Sequence, residues 1–467
     1  MSRTARRIPA LLIVMALILA ACGGSDSTTT TAAAEPDATT ATTVADEPTE
    51  TTMADEPTET TMADEPMGAT CDEPVTVGVV TDLSGPLAIY GTHINRAVPI
   101  GFAYATDGEV GEGLEQTYMV DDCEISVIFK DDQSNPELTA TAGRELIEVE
   151  GADIIIGTVS SGATASLQSL ALDNNVILIA APAAATDITG KDFNENTFRA
   201  SRHNYQDSMA ICDQFVNGDG YQTFVQIAPD YSFGYGGAAA YRDSCTFEGG
   251  EFLADDVFAP ADTTDFTSYL EPFSDTEADA LLVTWAGGGF VPLLQGAIDL
   301  GVVDADTVLG SPFVDNIVMP AFFSNAIGST STILYHYTAP DNAINDYLIE
   351  KAAAAGTFPD LFDADGMNAA IMVVEALRAT DGAADADSLR AALEGLTFEG
   401  PKGTVEIRAE DHVAIQDMYI VKLLNVDDPE FKYYEYVDTV RPQPPCLLEG
   451  DFTARCGDLP TGSLTGS

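Results

Sequence analysis

The stretch Val75-Thr-Val-Gly-Val-Val-Thr-Asp-Leu-Ser-Gly-Pro86 opens the folded part of the chain and sets a pattern that the rest of the body repeats. Its β-branched run to Val80 predicts a buried strand, and the residues from Pro86 to Ala105 predict a helix. The same alternation recurs, with strands expected at 125–129, 153–156 and 176–179 and helices at 136–149 and 163–172. Strands that alternate with helices indicate βαβ units and an α/β fold with a parallel, doubly wound sheet.

A second group of elements repeats this rhythm. We expect helices at 205–216, 236–245 and 291–300 and strands at 223–227, 252–258 and 280–283. The sequence therefore predicts two Rossmann-like lobes. Later strands, expected at 332–335, 405–407, 419–423 and 433–437, would complete both sheets, so the chain must cross between the lobes more than once. This predicts a multi-stranded hinge, which suits closure around a ligand.

The N-terminal segment is typical of an exported protein. Arg3, Arg6 and Arg7 precede an apolar run that is too short to span a bilayer comfortably, which indicates a signal peptide at 1–21. The run ends Leu19-Ala-Ala-Cys22, which resembles the lipobox of bacterial lipoproteins. This resemblance implies that Cys22 becomes N-terminal and carries lipid. Ordinary secretion, with a free thiol at Cys22, is the alternative.

A polar tether follows the signal peptide. Residues 22–70 are rich in Thr, Ala, Glu, Asp and Pro, and a nine-residue repeat that begins at Ala45 begins again at Ala54 and at Ala63. Such a composition cannot bury enough apolar surface to fold, so we expect disorder there. We assign 71–200 plus 336–398 to the first lobe, 201–335 plus 399–445 to the second, and 446–467 to a C-terminal tail.

Charge and motif content exclude several classes of function. The chain has 19 Lys plus Arg against 75 Asp plus Glu, a net charge of −56, so nucleic acid and anionic membrane surfaces are poor partners. The sequence contains no serine-hydrolase, zinc-protease or P-loop motif, which predicts no enzymatic activity. The four histidines, His93, His203, His336 and His412, show no metal-site spacing, so we expect neither a metal nor a cofactor.

Five further motifs occur in a recognisable order along the chain. They are Val77-Gly-Val-Val-Thr-Asp-Leu-Ser-Gly-Pro-Leu-Ala-Ile-Tyr-Gly91, Asp131-Asp-Gln-Ser-Asn-Pro136, Ile156-Gly-Thr-Val-Ser-Ser-Gly-Ala-Thr164, Ala181-Pro-Ala-Ala-Ala-Thr186, and Phe398-Glu-Gly-Pro-Lys-Gly403 with His412. With these motifs, the body at 75–437 resembles the type I periplasmic binding proteins of the leucine/isoleucine/valine-binding branch. That branch comprises the substrate receptors of amino-acid and amide ABC importers. The resemblance implies two lobes that close on a small solute.

The third and fourth of these motifs supply candidate ligand-binding residues. The resemblance implies that Ser161 and Thr186 bind an α-carboxylate and that the carbonyl of Ala184 accepts from an α-ammonium group. This chain has one more alanine than the family pattern, so Ala185 could take that place. Physical chemistry favours the same positions, because ligands bind beyond the carboxyl ends of parallel strands, where helix N-termini attract anions. A helix cap at Ser160 or Ser161 is the alternative interpretation.

Aromatic residues at strand ends supply the rest of the predicted site. Tyr90, Phe233 and Trp285 lie where the family places residues that cover the ligand, and a core position is the alternative for Trp285. The family's acidic partner for the ammonium group follows the strand at 307–309. In this chain Asp315 is close to that position but not in the matching register. Amides and other uncharged polar solutes therefore stand beside amino acids as candidate ligands.

The sequence thus indicates a solute-binding lipoprotein on the outer face of the cytoplasmic membrane. We expect a monomer that captures a branched-chain or other small amino acid, or an amide, by hinge closure. It would deliver this solute to an ABC permease and its ATPase. A receptor lipoprotein that senses the ligand and signals to a membrane partner is the alternative.

Six cysteines remain in the exported body. They allow fifteen connectivities, so the sequence alone does not settle the pairing. We predict Cys71–Cys123, because each precedes one of two neighbouring parallel strands. We also predict Cys212–Cys245 within the second lobe and Cys446–Cys456 across a short loop of the tail. Each disulfide should stabilise the fold by roughly 2–4 kcal/mol.

The lipobox-like motif leads to a first prediction. Replacing the sulfur of Cys22 removes the atom that would carry lipid, so Cys22→Ala should move the protein from the membrane fraction to the soluble fraction. Membrane fractionation and mass spectrometry of the mature N-terminus measure this. A wild-type protein that is wholly soluble and unacylated in its native host would contradict the assignment.

Overall fold

The computed structural model describes residues 68–304 and 307–465. The predicted signal peptide, the lipid site at Cys22 and almost all of the predicted tether lie outside the described residues. In the described part of the chain, no helix combines the length and the apolar character needed to cross a bilayer.

Six strands form the first sheet. They are β1 (Val75–Thr81), β2 (Glu115–Val120), β3 (Cys123–Asp131), β4 (Ile154–Gly157), β5 (Ile177–Ala180) and β6 (Thr197–Arg199). Their order is β2-β3-β1-β4-β5-β6, and neighbours run parallel except for the antiparallel pair β2 and β3. Every residue of β4 and β5 is buried, as expected for central strands covered on both faces. The predicted parallel, doubly wound sheet is confirmed.

Helices connect these strands. They are α1 (Ala88–Ala105), α2 (Pro136–Arg144), α3 (Ser161–Asn174) and α4 (Asn204–Asp213). Strand β2 was not predicted from the sequence, because it lies at the sheet edge and alternates exposed and buried residues. Such a strand lacks the continuous apolar run of its central neighbours.

The second sheet has the same character. Its strands are β7 (Thr223–Pro229), β8 (Glu251–Phe252), β9 (Val257–Ala259), β10 (Ala280–Val283) and β11 (Val308–Gly310). The helices are α5 (Ser232–Phe247), α6 (Thr267–Leu270), α7 (Phe290–Asp299) and α8 (Met319–Phe322). The prediction of a single strand at 252–258 is wrong. Two short strands, β8 and β9, stand in its place, and the carboxylate of Asp256 between them accepts hydrogen bonds from Gln226 and Arg242.

The remaining elements correct another expectation. They are β12 (Thr330–Ile333), α9 (Ala343–Ala354), α10 (Asp363–Ala379), α11 (Ala386–Leu393), β13 (Thr397–Gly400), β14 (Gly403–Ile407), β15 (Ala414–Ile415), β16 (Met418–Leu423) and β17 (Tyr434–Val440). The prediction that the late strands complete the two main sheets is wrong. They form two small antiparallel sheets, β12-β16-β17 and β13-β14-β15. The short connection between β13 and β14 permits only an antiparallel pair.

Helix α10 packs closely along α1 and thereby ties the late part of the chain to the first lobe. Glycines make this approach possible. A Cβ atom on Gly101 would lie 2.7 Å from the carbonyl oxygen of Met367, and one on Gly366 would lie 3.0 Å from the Cβ atom of Ala97. The first lobe is therefore assembled from segments far apart in sequence.

Three disulfides join the cysteines of the body. The pairs are Cys71–Cys123, Cys212–Cys245 and Cys446–Cys456, the same pairs that were predicted from the sequence. Strands β1 and β3, which follow Cys71 and contain Cys123, are parallel neighbours, as the prediction of that pair required.

A charged contact anchors the C-terminal tail. Arg455 donates to Glu394 over 2.7 Å, and the imidazole of His412 lies 3.1 Å from the same carboxylate oxygen. Hydrogen bonds from His412 and Arg455, together with the charge of Arg455, lower the pKa of Glu394 to about 2. A carboxyl group with a lowered pKa stabilises the fold above its ordinary pKa of 4.5, and this stabilisation is lost as the pH falls towards 2.

We therefore expect Glu394→Gln to lower the melting temperature at neutral pH. As the pH falls from 4.5 towards 2, the variant should also lose less stability than the wild type does. Thermal denaturation at a series of pH values measures both effects. Glu406→Gln, at an exposed position of β14, is the control. Identical pH profiles for the two variants would contradict the role given to Glu394.

Candidate functional site

A cleft lies beyond the carboxyl ends of strands from both sheets. Its walls come from loops after β1, β4, β5 and β6 of the first sheet and after β7, β10 and β11 of the second. The lining residues are Leu87, Tyr90, Val159, Ser161, Pro182, Ala184, Arg202, Tyr231, Phe233, Ala286, Phe313 and Phe362. This is where open parallel sheets bind ligands.

Four of the predicted site residues lie together on this wall. Tyr90 is in the first turn of α1, Ser161 begins α3, Ala184 follows β5, and Phe233 is in the first turn of α5. They come from four different βα connections. The fold therefore brings them to one place although 143 positions separate the first from the last.

The other three predicted residues are buried outside the lining set of the described cleft. Thr186 begins a 3-10 turn and lies against Gly236 of α5, where an added Cβ would come within 2.7 Å of its hydroxyl oxygen. Trp285 is 1% exposed and packs edge-to-face on Phe266 in the core of the second lobe. Its neighbour Ala286 lines the cleft instead. Asp315 is buried behind the wall, where it interacts with Tyr90.

The hydroxyls of Ser160 and Ser161 have different roles. The side chain of Ser160 caps α3 by accepting from the N–H of Ala163. The hydroxyl oxygen of Ser161 accepts from the N–H of Ala185 over 3.1 Å. Because a hydroxyl also carries one proton, Ser161 can still donate to a ligand in the cleft.

The loop after β5 is held in place by a buried arginine. Arg199 donates to the carbonyl of Ala183 over 2.6 Å and also to the carbonyl of Ala185. Ala184 lines the cleft, and its own carbonyl accepts from the N–H of Asn204 over 2.9 Å. Of the two alanines that the sequence left open, Ala184 is therefore the one at the cleft.

Arg202, which sequence analysis missed, brings a positive charge to the wall. Its guanidinium is fully buried and donates to Asp207 and to the carbonyl of Pro182, each over 3.2 Å. It also lies over the rings of Phe313 and Phe362, at 5.0 and 5.3 Å from their centroids. Its Nη2 atom has no hydrogen-bond partner among the described residues. The available signal was a basic residue placed shortly after a strand in an acidic chain.

One hydrogen bond crosses the cleft. The backbone N–H of Gly287, after β10, donates to the hydroxyl of Tyr90 on α1 over 3.1 Å. Gly287 has φ +78°, and an added Cβ would lie 2.6 Å from a methyl carbon of Leu87. Only a glycine lets the two lobes approach this closely here.

Acidic groups lie behind Tyr90. Burial raises the pKa of Asp315, and burial together with the charge of Asp315 raises the pKa of Asp360. His93 lies beside both carboxyl groups, although its sequence spacing gave no sign of this. Two carboxyl groups and an imidazole thus lie close together at the junction of the lobes, with Asp360 half-buried.

Comparison with known proteins identifies the family. The sequence model of the family described as periplasmic binding protein matches residues 74–427. A Leu/Ile/Val-binding protein homolog 6 of Brucella abortus is 24% identical over 79% of this chain and 92% of its own length. A crystal structure of an ABC-type branched-chain amino acid transporter from Rhodopseudomonas palustris is 31% identical, with a TM-score of 0.65 over 79% of this chain and 96% of that one.

The chain belongs to the type I periplasmic binding proteins, in the Leu/Ile/Val-binding branch. It is also similar to a solute-binding protein of an ABC transporter from Rhodopseudomonas palustris BisB5, solved in complex with 3,4-dihydroxybenzoic acid. That protein is 25% identical, with a TM-score of 0.68, and the match covers 79% of this chain and 97% of that one. The predicted family and two-lobed fold are confirmed.

The approach at Gly287 gives a prediction about lobe closure. A side chain there would meet Leu87 and would also hold an unfavourable left-handed backbone, at a cost of about 1–2 kcal/mol. We expect Gly287→Ala to favour a more open protein with a larger radius of gyration in small-angle X-ray scattering. Gly288→Ala is the matched control, because an added Cβ there meets nothing within 4 Å. Equal radii for both variants would contradict the prediction.

Proposed function

We propose that this protein is the solute-binding component of an ABC importer and that it captures a small carboxylate with an aromatic or apolar body. Arg202 is the observation that carries the proposal. A buried guanidinium with an unpartnered Nη2 atom on the wall of an otherwise apolar cleft is suited to a carboxylate. Ser161, which also lines the cleft, offers a second donor.

The shape of the cleft supports a flat or apolar ligand body. Tyr90 and Phe362 meet edge-to-face with ring centroids 5.0 Å apart, and Phe233 and Phe313 do so at 5.6 Å. Aromatic walls of this kind bury the faces of small rings well. A small aromatic acid is therefore the first candidate, because its ring would pack against these side chains.

The relatives support this class of ligand in two ways. The similar protein from Rhodopseudomonas palustris BisB5 holds 3,4-dihydroxybenzoic acid, an aromatic carboxylate. The relatives named as Leu/Ile/Val-binding proteins point to amino acids, which also carry a carboxylate. A branched-chain amino acid is the second candidate, favoured by Asp315, whose carboxyl group lies near Tyr90 and could receive an ammonium group.

Family membership also supports the proposed setting. Periplasmic binding proteins act outside the cytoplasm and hand their solute to a membrane permease. We propose that Cys22 anchors the protein by lipid, so that the lobes work at the outer face of the cytoplasmic membrane. A sensory role would use the same cleft and closure with a different membrane partner.

Calorimetric titration tests the ligand class. Benzoate, 4-hydroxybenzoate, 3,4-dihydroxybenzoate, leucine, isoleucine, valine and acetamide are titrated in turn. We expect at least one carboxylate to bind saturably and acetamide not to bind. Arg202→Lys should weaken the binding of that carboxylate about 10- to 150-fold. This is the scale of about 1.5–3 kcal/mol for a hydrogen bond to a charged group.

The control separates binding from folding. Arg408 is another buried arginine, paired with Asp411, and it lies outside the residues that line the described cleft. Arg408→Lys should therefore disturb the fold to a similar degree but leave the affinity unchanged. Binding of acetamide with no carboxylate bound, or equal affinities in both lysine variants, would refute the proposal.

A further inference from the structure

A second set of chemical groups lies behind the cleft and takes no part in holding the proposed carboxylate, although it includes Asp315, the group considered above for an ammonium ligand. His93 is on α1, Asp315 follows β11, and Asp360 precedes α10. Each offers one nitrogen or oxygen atom, and these three atoms all lie within 4.8 Å of one another. We call these three residues the His–Asp–Asp cluster.

His93 and Asp315 are buried, Asp360 is half-buried, and two atoms of the cluster lack hydrogen-bond partners among the described residues. His93 and Asp315 are each 5% exposed. Within the described residues, neither Nδ1 of His93 nor Oδ1 of Asp315 has a hydrogen-bond partner. The oxygens of Asp360 accept from the N–H groups of Leu361 and Asn316, which leaves each oxygen a further lone pair. Buried polar atoms without partners call for an ion or a water that completes them.

The protein's own cation nearby is already engaged. Arg96 lies one helical turn beyond His93 on α1, and it forms a paired contact with Asp363 through Nε and Nη2. It therefore satisfies Asp363 and not the His–Asp–Asp cluster. Two adjacent carboxylates in a largely buried place repel each other unless a cation or a shared proton lies between them.

The donor set selects the type of ion. An imidazole nitrogen with two carboxylate oxygens suits zinc and similar divalent transition metals, whereas magnesium and calcium prefer oxygen alone. Bonds of about 2.0–2.2 Å allow ligand atoms up to about 4.4 Å apart around one such ion. A spread of at most 4.8 Å therefore requires only small side-chain movements.

We propose that His93, Asp315 and Asp360 bind a divalent transition-metal ion that holds the two lobes together behind the solute cleft. His93 and Asp360 belong to α1 and to the segment that leads into α10, which pack together beside the first sheet. Asp315 follows β11 of the second sheet. An ion shared by all three joins the lobes directly, as the hydrogen bond between Tyr90 and Gly287 does.

The site also couples metal to solute. Asp315 interacts with Tyr90, whose ring lines the cleft. A metal that favours the closed arrangement strengthens the binding of any solute that favours it too, and the effect is reciprocal. This coupling rests on the proposed function, whereas the metal site itself does not.

Zinc alone tests the site. The full chain is stripped with a chelator, exchanged into chelator-free buffer with excess magnesium to occupy exposed carboxylates, and titrated with zinc chloride by calorimetry. We expect one zinc ion per chain and a rise of several degrees in melting temperature. His93→Gln and Asp315→Asn should each weaken zinc binding at least about 100-fold and abolish the rise.

The matched control is His336→Gln. His336 is another buried histidine with a nitrogen that lacks a partner among the described residues, and it lies outside the cluster. The His336→Gln protein should therefore bind zinc as the wild type does. If zinc does not bind saturably, or if all three variants bind zinc equally, the proposed site is wrong. An acid pair that merely shares a proton would show no saturable zinc binding. Loss of solute binding across the panel with zinc binding intact would overturn the proposed function alone.

Discussion

The hydrogen bond from the backbone N–H of Gly287 to the hydroxyl of Tyr90 joins the two lobes beside the cleft that Tyr90 lines. It requires a backbone without a side chain on one lobe and a buried phenol on the other. The carboxyl group of Asp315 lies near this phenol. The ring of Tyr90 therefore takes part in the contact between the lobes, lines the cleft and lies near the acidic groups behind it.

The electrostatics of the cleft differ from those of the whole molecule. The chain carries a net charge of −56, yet the cleft wall presents the guanidinium of Arg202. That guanidinium is fixed before any ligand arrives, by Asp207, by a backbone carbonyl and by two aromatic rings. Arg199 fixes the adjacent loop in the same way. Donors held in advance cost little to order on binding, which favours affinity and specificity.

Much of the fold could be predicted from the sequence, because buried parallel strands are continuous apolar runs. Strands β4 and β5 are of this kind, and their following loops placed Ser161 and Ala184 at the cleft. Edge strand β2 and the two small antiparallel sheets lacked that signal. Trp285 shows a second limit, since a residue after a strand can turn inward while its neighbour lines the site. The His–Asp–Asp cluster unites positions up to 267 residues apart, which local patterns do not reveal.

The cleft is proposed to hold a small carboxylate between two closed lobes. Native mass spectrometry of the gently isolated protein, followed by identification of the released small molecule, tests this proposal. We expect a single bound acid of about benzoate or leucine size in the wild type. A bound molecule that carries no carboxylate would contradict this expectation.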